Sequence, residues 1–409
     1  MTHVLSIIHY PVFGGPHNRN MRLAPVLAER GVRTTILIPD ESGNAEMRLR
    51  DAGVEVVTLP MQRLRATSSV VTHARFLRRL PASISSIGSL IERQNIDLVQ
   101  INGLVNPHGA LAARRLGVPV VWQILDTYSP HTLRLLMGPV LQRYADVVMC
   151  TGTRVAAEHP GAMARPGAFV SFFPPVDVSV FRPDPAVREA VRNELGLASS
   201  SFVVGTVGNI NKQKGHDNFV RAAAELKRRV PGARFLIFGG QHDNHKEYIA
   251  GLWKLAEELG LKVGVDLMTM DPTGRVHELA QAMDVFWMTP KPRSEGIPTA
   301  MEEAMALSLP VVSFDVGSIG ELVAHGQAGY LVEGQDPAEV ARYTSEHLQS
   351  PSERERMGQL GRSFILEHAS LEACAERHAL AYSLAMQKHG SRGSSEQPVA
   401  SKAGVSKRS

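Results

Sequence analysis

Cysteine is almost absent from the sequence, since only Cys150 and Cys374 occur among the 409 residues. Cys150 ends a β-like run, and Cys374 lies in a segment with helical spacing. Two such cysteines provide neither a disulfide framework nor the ligand spacing of a zinc site. A disulfide-stabilised domain and a zinc-stabilised domain are therefore both excluded. We expect the two thiols to be buried.

Long hydrophobic runs are also missing. The longest, such as PVVSF and DVVMC, are far shorter than the roughly 20 residues of a membrane-spanning helix. The first residues, MTHVLSIIHY, lack a basic region followed by the apolar core of a signal peptide. The sequence therefore predicts a cytoplasmic protein.

The net charge is only +4, but the arginines are unevenly distributed. The stretch QRLRATSSVVTHARFLRRL contains Arg63, Arg65, Arg75, Arg78 and Arg79. One interpretation is a solvated helix face. The other is a peripheral contact with anionic lipid on the inner face of a membrane or with an anionic acceptor, because apolar residues alternate with the arginines. Nucleic acid is not expected as a partner, since no recognition motif accompanies the cluster.

The chain is too long for one ordinary hydrophobic core, because single cores rarely exceed about 300 residues. Short β-branched runs alternate with amphipathic segments of helical length, which is typical of parallel strands joined by helical crossovers. The first series of runs is HVLSII, RTTILI, VEVVTL, DLVQI, PVVWQI and ADVVMC, and the second is FVVGTVG, ARFLIFG, LKVGVDLM, DVFWMT and PVVSFDV. The sequence predicts an α/β protein with two Rossmann-like parallel-sheet domains that face a central cleft.

A proline-rich linker, FFPPVDVSVFRPDP, separates the two series, because its prolines interrupt helix and remove backbone donors. We place the first domain at residues 1–180 and the second at residues 181–365. A helix is expected at residues 366–387. The tail, residues 388–409, is rich in Ser, Gly, Lys and Arg without apolar anchors, so it is expected to be disordered.

Each domain begins with a strand that runs into a glycine-containing turn ahead of a helix. In HYPVFGGPHNRN the turn contains Gly14 and Gly15, and the amide-bearing end of the next helix favours anions. In FVVGTVGNINKQKGHDNF, Gly208 is followed by Lys212 and Lys214, which can neutralise a phosphate at the strand ends. A purely structural turn is the alternative interpretation in both places.

The stretch SEGIPTAMEEAMA combines an apolar helix with three acids. Pro298 suits the first turn, where its missing amide hydrogen is tolerated. Glu295 lies just before the helix start, where a carboxylate stabilises the helix dipole by about 0.3–1 kcal/mol. Glu302 and Glu303 border the apolar stripe on opposite sides, so helical periodicity does not distinguish them.

The spacing of the acids is more informative than their periodicity. Glu295 and Glu303 are separated by the seven residues GIPTAME. Eight helical steps place their backbones about 12 Å apart, which suits a ligand as long as a nucleotide sugar. The backbone amides of Gly296, Ile297 and Thr299 would face a diphosphate between the two acids.

These features resemble the retaining glycosyltransferases of the GT-B fold, family 4, whose signature is a Glu, seven residues and a second Glu. The stretch EGIPTAMEEAMALSLPVVSFDVGSIGELV carries the resemblance, supported by DVVMCTG, PVDVSVFRP, KGHDNFVRAA and GELVAHGQAGYLVEGQDPAEVA. The resemblance implies transfer of a sugar from a nucleotide-diphosphate donor to an acceptor hydroxyl with anomeric retention, in glycan, glycolipid or polysaccharide biosynthesis. It also implies that the last helix packs back on the first domain.

The resemblance assigns Glu295 to the donor-sugar hydroxyls, Glu303 to the ribose and Lys214 to the leaving diphosphate. Gly15 would give the phosphates backbone room, and Glu302 is left as a solvated neighbour. The candidate catalytic residues are Glu295, Lys214 and Asp126. The candidate donor-binding residues are Gly14, Gly15, Gly208, Asn209, Lys212, Lys214, Glu295, Gly296, Ile297, Pro298, Thr299 and Glu303.

Three places depart from the family pattern. Asn209 replaces an arginine in the loop after the first strand of the second domain, and Leu125 replaces a histidine beside Asp126. Pro174 and Pro175 replace Asn and Gly in the linker. Two alternatives stay open: a sugar-nucleotide epimerase or hydrolase of the same architecture, and a non-catalytic subunit that binds nucleotide sugars.

A D-x-D motif, with which GT-A enzymes usually hold a divalent ion, is absent from the sequence. Lys214 and helix dipoles can neutralise the leaving group instead. We therefore expect no metal and no cofactor besides the nucleotide-sugar co-substrate. The expected acceptor is a glycan or a lipid-linked molecule.

Overall fold

The structure, a computed structural model, describes residues 1–61, 70–240, 245–292 and 296–395. A parallel sheet of seven strands occupies the first part of the chain. Its strands are β1 (Thr2–Ile8), β2 (Val32–Pro39), β3 (Glu55–Leu59), β4 (Leu98–Asn102), β5 (Val120–Ile124), β6 (Val147–Cys150) and β7 (Phe169–Ser171). They lie in the order β3-β2-β1-β4-β5-β6-β7.

A second parallel sheet, of six strands, occupies the later part. Its strands are β8 (Val203–Val207), β9 (Arg234–Phe238), β10 (Leu267–Met270), β11 (Val285–Met288), β12 (Val311–Phe314) and β13 (Gly329–Val332). They lie in the order β10-β9-β8-β11-β12-β13. The expected α/β fold with two Rossmann-like parallel sheets is confirmed.

Helices connect the strands and cover both sheets. The helices of the first part are α1 (Gly15–Glu29), α2 (Ala45–Asp51), α3 (Val70–Gln94), α4 (Pro107–Arg115), α5 (His131–Tyr144) and α6 (Thr153–Ala157). Helix α7 (Pro185–Glu194) belongs to the later part, where its Val191 packs in the core of the second sheet. Those that follow are α8 (His216–Arg229), α9 (Lys246–Glu258), α10 (Val276–Leu279), α11 (Thr299–Ala306), α12 (Ile319–Leu322), α13 (Pro337–His347), α14 (Pro351–His368) and α15 (Leu371–Ser395).

The strand orders determine where a ligand can bind. In the first sheet the direction of strand addition reverses between β1 and β4, and in the second it reverses between β8 and β11. At such reversals the connections leave on opposite sides of the sheet and open a crevice beyond the carboxyl ends of the strands. The loops after β1, β4, β8 and β11 are thus the places to look for a site.

Apolar side chains cover both faces of the central strands. Every residue of β5 and of β8 is buried, as expected for parallel strands covered by helices on both sides. The first part of the chain contains Cys150 in its core, and Cys374 is buried against the same sheet from α15. Both thiols are free and buried, which confirms the sequence prediction.

The last helix, α15, packs on the first sheet and on α1 rather than on the second sheet. Cys374 and Tyr382 belong to the same apolar cluster as Val4 and Leu23. The helix extends to Ser395, beyond the expected end near Gln387.

Contacts of the last turns explain this longer helix. Lys388 Nζ donates to the carbonyl oxygen of Pro166 at 3.3 Å, and His389 Nδ1 lies 3.4 Å from Asp146. The segment from residue 388 to Ser395, for which the sequence predicts disorder, is helical in the structure. The rest of the predicted tail, residues 396–409, lies outside the described residues.

The arginine cluster falls mainly on α3. Arg75, Arg78 and Arg79 are exposed, and Phe76 packs into the core. Arg63 and Arg65 lie outside the described residues. None of the helices in the described ranges is both long and apolar enough to cross a bilayer.

Candidate functional site

A cavity of about 200 Å³ lies between the two sheets, where α1, the loop after β5 and the start of α11 meet. Five of the predicted site residues line it: Gly15, Asp126, Gly296, Ile297 and Thr299, the first residue of α11. The cavity, which we name the cleft cavity, therefore brings together the glycine turn of the first domain and the glycine end of the EGIPTAMEE motif.

The glycine turn ahead of α1 is held by His17. The backbone N–H of Gly14 donates to His17 Nδ1 at 3.2 Å, and His17 Nε2 lies 3.1 Å from the carbonyl oxygen of Tyr10. This pattern fits a neutral ring that carries its hydrogen on Nε2. Burial lowers the pKa of His17 to about 4, so the ring stays neutral near pH 7. The first turn of α1 thus borders the cleft cavity, through Gly15 and Asn18, in front of a fixed loop.

The backbone of the loop before α11 lies in close contact with the backbone of the first domain. A Cβ atom added at Gly296 would lie 2.3 Å from the carbonyl oxygen of Leu125, which already accepts a hydrogen bond from Thr151 Oγ1 at 2.8 Å. The carbonyl oxygen of Gly296 accepts from the N–H of Ser318 at 3.0 Å. Only glycine fits this close approach, so the residue next to Glu295 sets the spacing between the domains.

Glu303 faces the first domain from the middle of α11. Its Oε1 lies 3.5 Å from Arg22 Nη1 on α1, and only 13% of its side chain is exposed. Burial raises the pKa of Glu303 to about 7, and the positive charge of Arg22 opposes that rise. The ionised carboxylate can therefore bind a ligand in the cleft, but burial makes its ionisation unfavourable. The ionised fraction depends on pH near neutrality.

Glu302 does not lie in solvent, and the expectation that it is a solvated neighbour was wrong. Its side chain is 0% exposed, and neither carboxyl oxygen has a hydrogen-bond partner among the described residues. Burial raises the pKa of Glu302 well above its ordinary value, with a further rise from Glu303. Two elements distant in sequence lie beside it: α14 packs on α11, and Cys374 of α15 is near enough for the charge of Glu302 to raise the pKa of its thiol.

The predicted loop of the second domain, from Gly208 to Lys214, follows β8. Gly208 donates its N–H to the carbonyl oxygen of Phe238 at 2.9 Å, and the aliphatic chain of Lys214 lies against Gly208. Asn209 and Lys212 are exposed. These four residues are not in the described lining of the cleft cavity.

A backbone hydrogen bond links this loop to the loop after β11. The N–H of Lys291 donates to the carbonyl oxygen of Gln213 at 3.0 Å. The EGIPTAMEE motif begins shortly after Lys291, and its first acid, Glu295, lies outside the described residues. Pro298, the residue before α11, is buried behind the cavity wall.

Asp126 lies where two cavities meet. It lines the cleft cavity and also a second cavity of about 220 Å³ formed by the ends of β1, β4 and β5 with His9, Leu104 and Tyr128. Asp126 Oδ1 accepts the N–H of Tyr128 at 3.0 Å, which fixes the loop after β5. Leu125 lines both cavities too. A molecule in the second cavity would therefore adjoin one in the cleft cavity.

Sequence reasoning missed Arg19 and Arg22, which line the cleft cavity from α1. They are three residues apart after the glycine turn, so both project from one face of the helix. That spacing was a readable signal. Thr151, in the loop after β6, could not be predicted from the sequence, because its place in the lining depends on the packing of one loop against another.

A second set of contacts joins the domains beside the cleft cavity. Glu321 accepts the backbone N–H groups of Thr153 and Arg154, each at 2.7 Å. Arg154 also forms an ion pair with Asp315 at 2.5 Å. No group of three His, Cys, Asp or Glu side chains placed to hold a metal ion occurs in the described part of the chain.

Both domains match known sequence families. The profile described as "Glycosyl transferases group 1" matches residues 187–364, and the one described as "Glycosyl transferase 4-like domain" matches residues 14–175. A Mycolicibacterium smegmatis protein named GDP-mannose-dependent alpha-(1-6)-phosphatidylinositol monomannoside mannosyltransferase is 30% identical over 303 residues, which cover 70% of this chain and 76% of that protein. The chain belongs to the group 1 glycosyltransferase family.

Other relatives are matched over less of their length. The D-inositol 3-phosphate glycosyltransferase of Corynebacterium urealyticum is 30% identical over 261 residues, which cover 58% of this chain and 61% of that protein. Among solved structures, that of the Anabaena protein Alr3699/HepE in complex with UDP superposes with a TM-score of 0.78 at 18% identity, covering 94% of this chain and 100% of that one. This structural similarity shows that the present chain has the GT-B fold.

Proposed function

We propose that the protein transfers a sugar from a nucleotide-diphosphate donor to an acceptor hydroxyl with retention of anomeric configuration. The observation that carries the proposal is the cleft cavity, where the helix starts of α1 and α11 face one space between the two domains. Two helix N-termini provide free amides and positive dipole ends for an anion. The HepE structure with bound UDP and the names of the relatives support a nucleotide-linked donor.

In this reaction the bond between the anomeric carbon and the diphosphate oxygen breaks, and a bond to the acceptor oxygen forms on the same face of the sugar. The acceptor proton leaves with the nucleoside diphosphate. Negative charge grows on the diphosphate as the first bond breaks, so groups that stabilise it accelerate the step. The amides at Gly296 and Ile297 take this role in our proposal, with Lys214 from the neighbouring loop.

The remaining predicted residues have separate roles in the proposal. Glu303 accepts hydrogen bonds from the ribose hydroxyls, and Glu295 accepts from hydroxyls of the donor sugar. Asp126 orients the acceptor, since it lies at the junction of the cleft cavity and the second cavity. The acceptor thus enters through the second cavity of the first domain.

We propose a glycan or lipid-linked acceptor. Two observations support this class: the exposed arginines of α3 lie in the acceptor-side domain, and two relatives are named for inositol-containing acceptors, one of them a phosphatidylinositol glycolipid. The arginines would attract the anionic surface of the inner membrane leaflet. The setting would be synthesis of a glycolipid or polysaccharide.

A thermal-shift screen with UDP-, GDP- and ADP-linked sugars tests donor binding, because a ligand that binds only the folded state raises its melting temperature. At least one base should raise the melting temperature of the wild type, and Glu303→Gln should reduce that rise. Absence of a shift with all three at millimolar concentration would contradict the proposal.

Two further measurements separate this activity from its alternatives. An epimerase or hydrolase would convert the bound donor without any acceptor, whereas we expect little epimer or free sugar. A non-catalytic subunit would bind the donor but transfer nothing to any acceptor extract. A chelator should leave transfer unchanged, since helix dipoles and Lys214 are proposed to neutralise the diphosphate.

A further inference from the structure

Three arginines in the described ranges are buried: Arg19, Arg134 and Arg192 are 6%, 1% and 6% exposed. Two of them have an acidic partner. Arg134 pairs with Glu158 at 2.8 Å, and Arg192 pairs with Asp284 at 3.0 Å. Arg19 differs, because no carboxylate of the described residues lies within ion-pairing distance of its guanidinium.

Neutral groups surround Arg19 instead. Its Nη2 donates to Asn102 Oδ1 at 2.7 Å and to Gln123 Oε1 at 2.5 Å. The guanidinium carbon lies 5.2 Å from the centre of the Phe172 ring, and Nε has no hydrogen-bond partner among the described residues. A guanidinium keeps its charge inside a protein, and a buried charge without an opposite charge is unfavourable. The free protein thus holds an uncompensated cation.

This cation faces the cleft cavity. Arg19 lines it together with Arg22, which lies one helical turn further along α1. The amide-bearing starts of α1 and α11 border the same space, at Gly15 and Gly296. Asp126 is the one carboxylate in the described lining, so positive groups dominate the cavity.

We propose that Arg19 binds the diphosphate of the nucleotide-sugar donor. The inference rests on the proposed function and adds a residue of the first domain to the phosphate site. The diphosphate supplies the opposite charge that the buried guanidinium lacks, and Nη1, which takes no part in the hydrogen bonds to Asn102 and Gln123, is the nitrogen that would donate to one of its oxygens. Donor binding then requires both domains, because α11 and α1 contact the same diphosphate.

The test is isothermal titration calorimetry on the full chain with UDP, GDP and ADP, and with the matching nucleosides. Arg19→Gln should weaken binding of the nucleoside diphosphate about tenfold or more, the usual effect of losing a charged hydrogen bond, and should leave nucleoside affinity unchanged. Arg19→Lys, which keeps the charge, should retain part of the affinity. Arg134→Gln removes a buried arginine that does not line the cavity, and should bind the diphosphate like the wild type.

The outcomes distinguish this inference from the proposed function. If the wild type binds no nucleoside diphosphate, the proposed function fails. If the wild type binds one and Arg19→Gln binds it equally well, Arg19 is only a structural residue and the inference is overturned. If Arg19→Gln does not fold, the Arg19→Lys variant provides the test. It should bind the nucleoside diphosphate more weakly than the wild type and the nucleoside equally well. Equal affinity of Arg19→Lys and the wild type for the diphosphate overturns the proposal.

Discussion

Arg22 on the first helix lies 3.5 Å from Glu303 on α11, so one ion pair spans the cleft between the two domains. The pair links the glycine turn of the first domain to the second acid of the EGIPTAMEE motif. A ribose that binds Glu303 must replace part of this contact. The protonation of Glu303 therefore bears on nucleotide binding.

Nucleotide affinity should rise with pH in the range around neutrality. Burial raises the pKa of Glu303 from 4.5 to about 7, and only the ionised carboxylate can accept from both ribose hydroxyls. We expect the dissociation constant of the nucleoside diphosphate to fall between about pH 6 and about pH 8. Glu303→Gln should bind more weakly and lack this pH dependence. The same pH dependence in the variant would assign it to another group.

Glu302→Met should stabilise the protein. Glu302 is fully buried and its oxygens have no partner in the described part of the chain, so it carries an unfavourable desolvation free energy. Replacing it with an apolar side chain of similar size should raise the free energy of unfolding by about 1–3 kcal/mol in urea denaturation. Glu302→Gln, which leaves a polar group buried, is the control and should gain much less. A less stable Glu302→Met would mean that the carboxyl has a partner.

The free energy of unfolding should depend on pH through the ionisation of Glu302. Because the folded pKa of Glu302 is raised, the folded protein holds a proton that the unfolded chain has released, and stability falls as pH rises above the ordinary carboxyl value of 4.5. Glu303 contributes with the same sign up to its pKa of about 7. Glu302→Met should therefore show a smaller fall in the denaturation midpoint than the wild type, above all at alkaline pH.

Gly296→Ala should impair transfer without unfolding either domain. Its Cβ would lie 2.3 Å from the Leu125 carbonyl oxygen and 2.8 Å from Thr151 Oγ1, so the two domains must move apart. A displacement of this order at a reacting centre lowers rates by about a hundredfold. Gly251→Ala on α9, where no atom lies within 4 Å, is the control and should keep full activity. Equal activity of the two variants would show that this close approach is not needed.

The arginines of α3 should contribute to binding of anionic vesicles. Replacing Arg75, Arg78 and Arg79 with Ser should weaken co-sedimentation by about 1 kcal/mol per arginine at low salt. The matched control replaces three exposed arginines of the second domain: Arg221, Arg228 and Arg229 on α8. Unchanged vesicle binding and unchanged transfer in the α3 variant would leave the solvated helix face as the better interpretation.

The fold could be read from the sequence because its signal is local, whereas part of the site could not. The β-branched runs marked the strands, whereas the assignment of Glu295 and Glu303 to the two ends of the donor stays a prediction. Glu302 was misplaced because the helices that surround α11 in the fold, α14 and α15, are distant from it in sequence. The spacing of Arg19 and Arg22 after the glycine turn could have been read, but the lack of an acidic partner for Arg19 could not, because it is a property of the packed interior.

The most direct test of the account is acceptor-dependent release of nucleoside diphosphate from the sugar nucleotide that stabilises the protein. We predict that release occurs only when a glycan or lipid extract is added and that the glycoside keeps the anomeric configuration of the donor. In Glu303→Gln the rate should be lower by about tenfold or more. Release at the same rate without acceptor, or a product of inverted configuration, would contradict it.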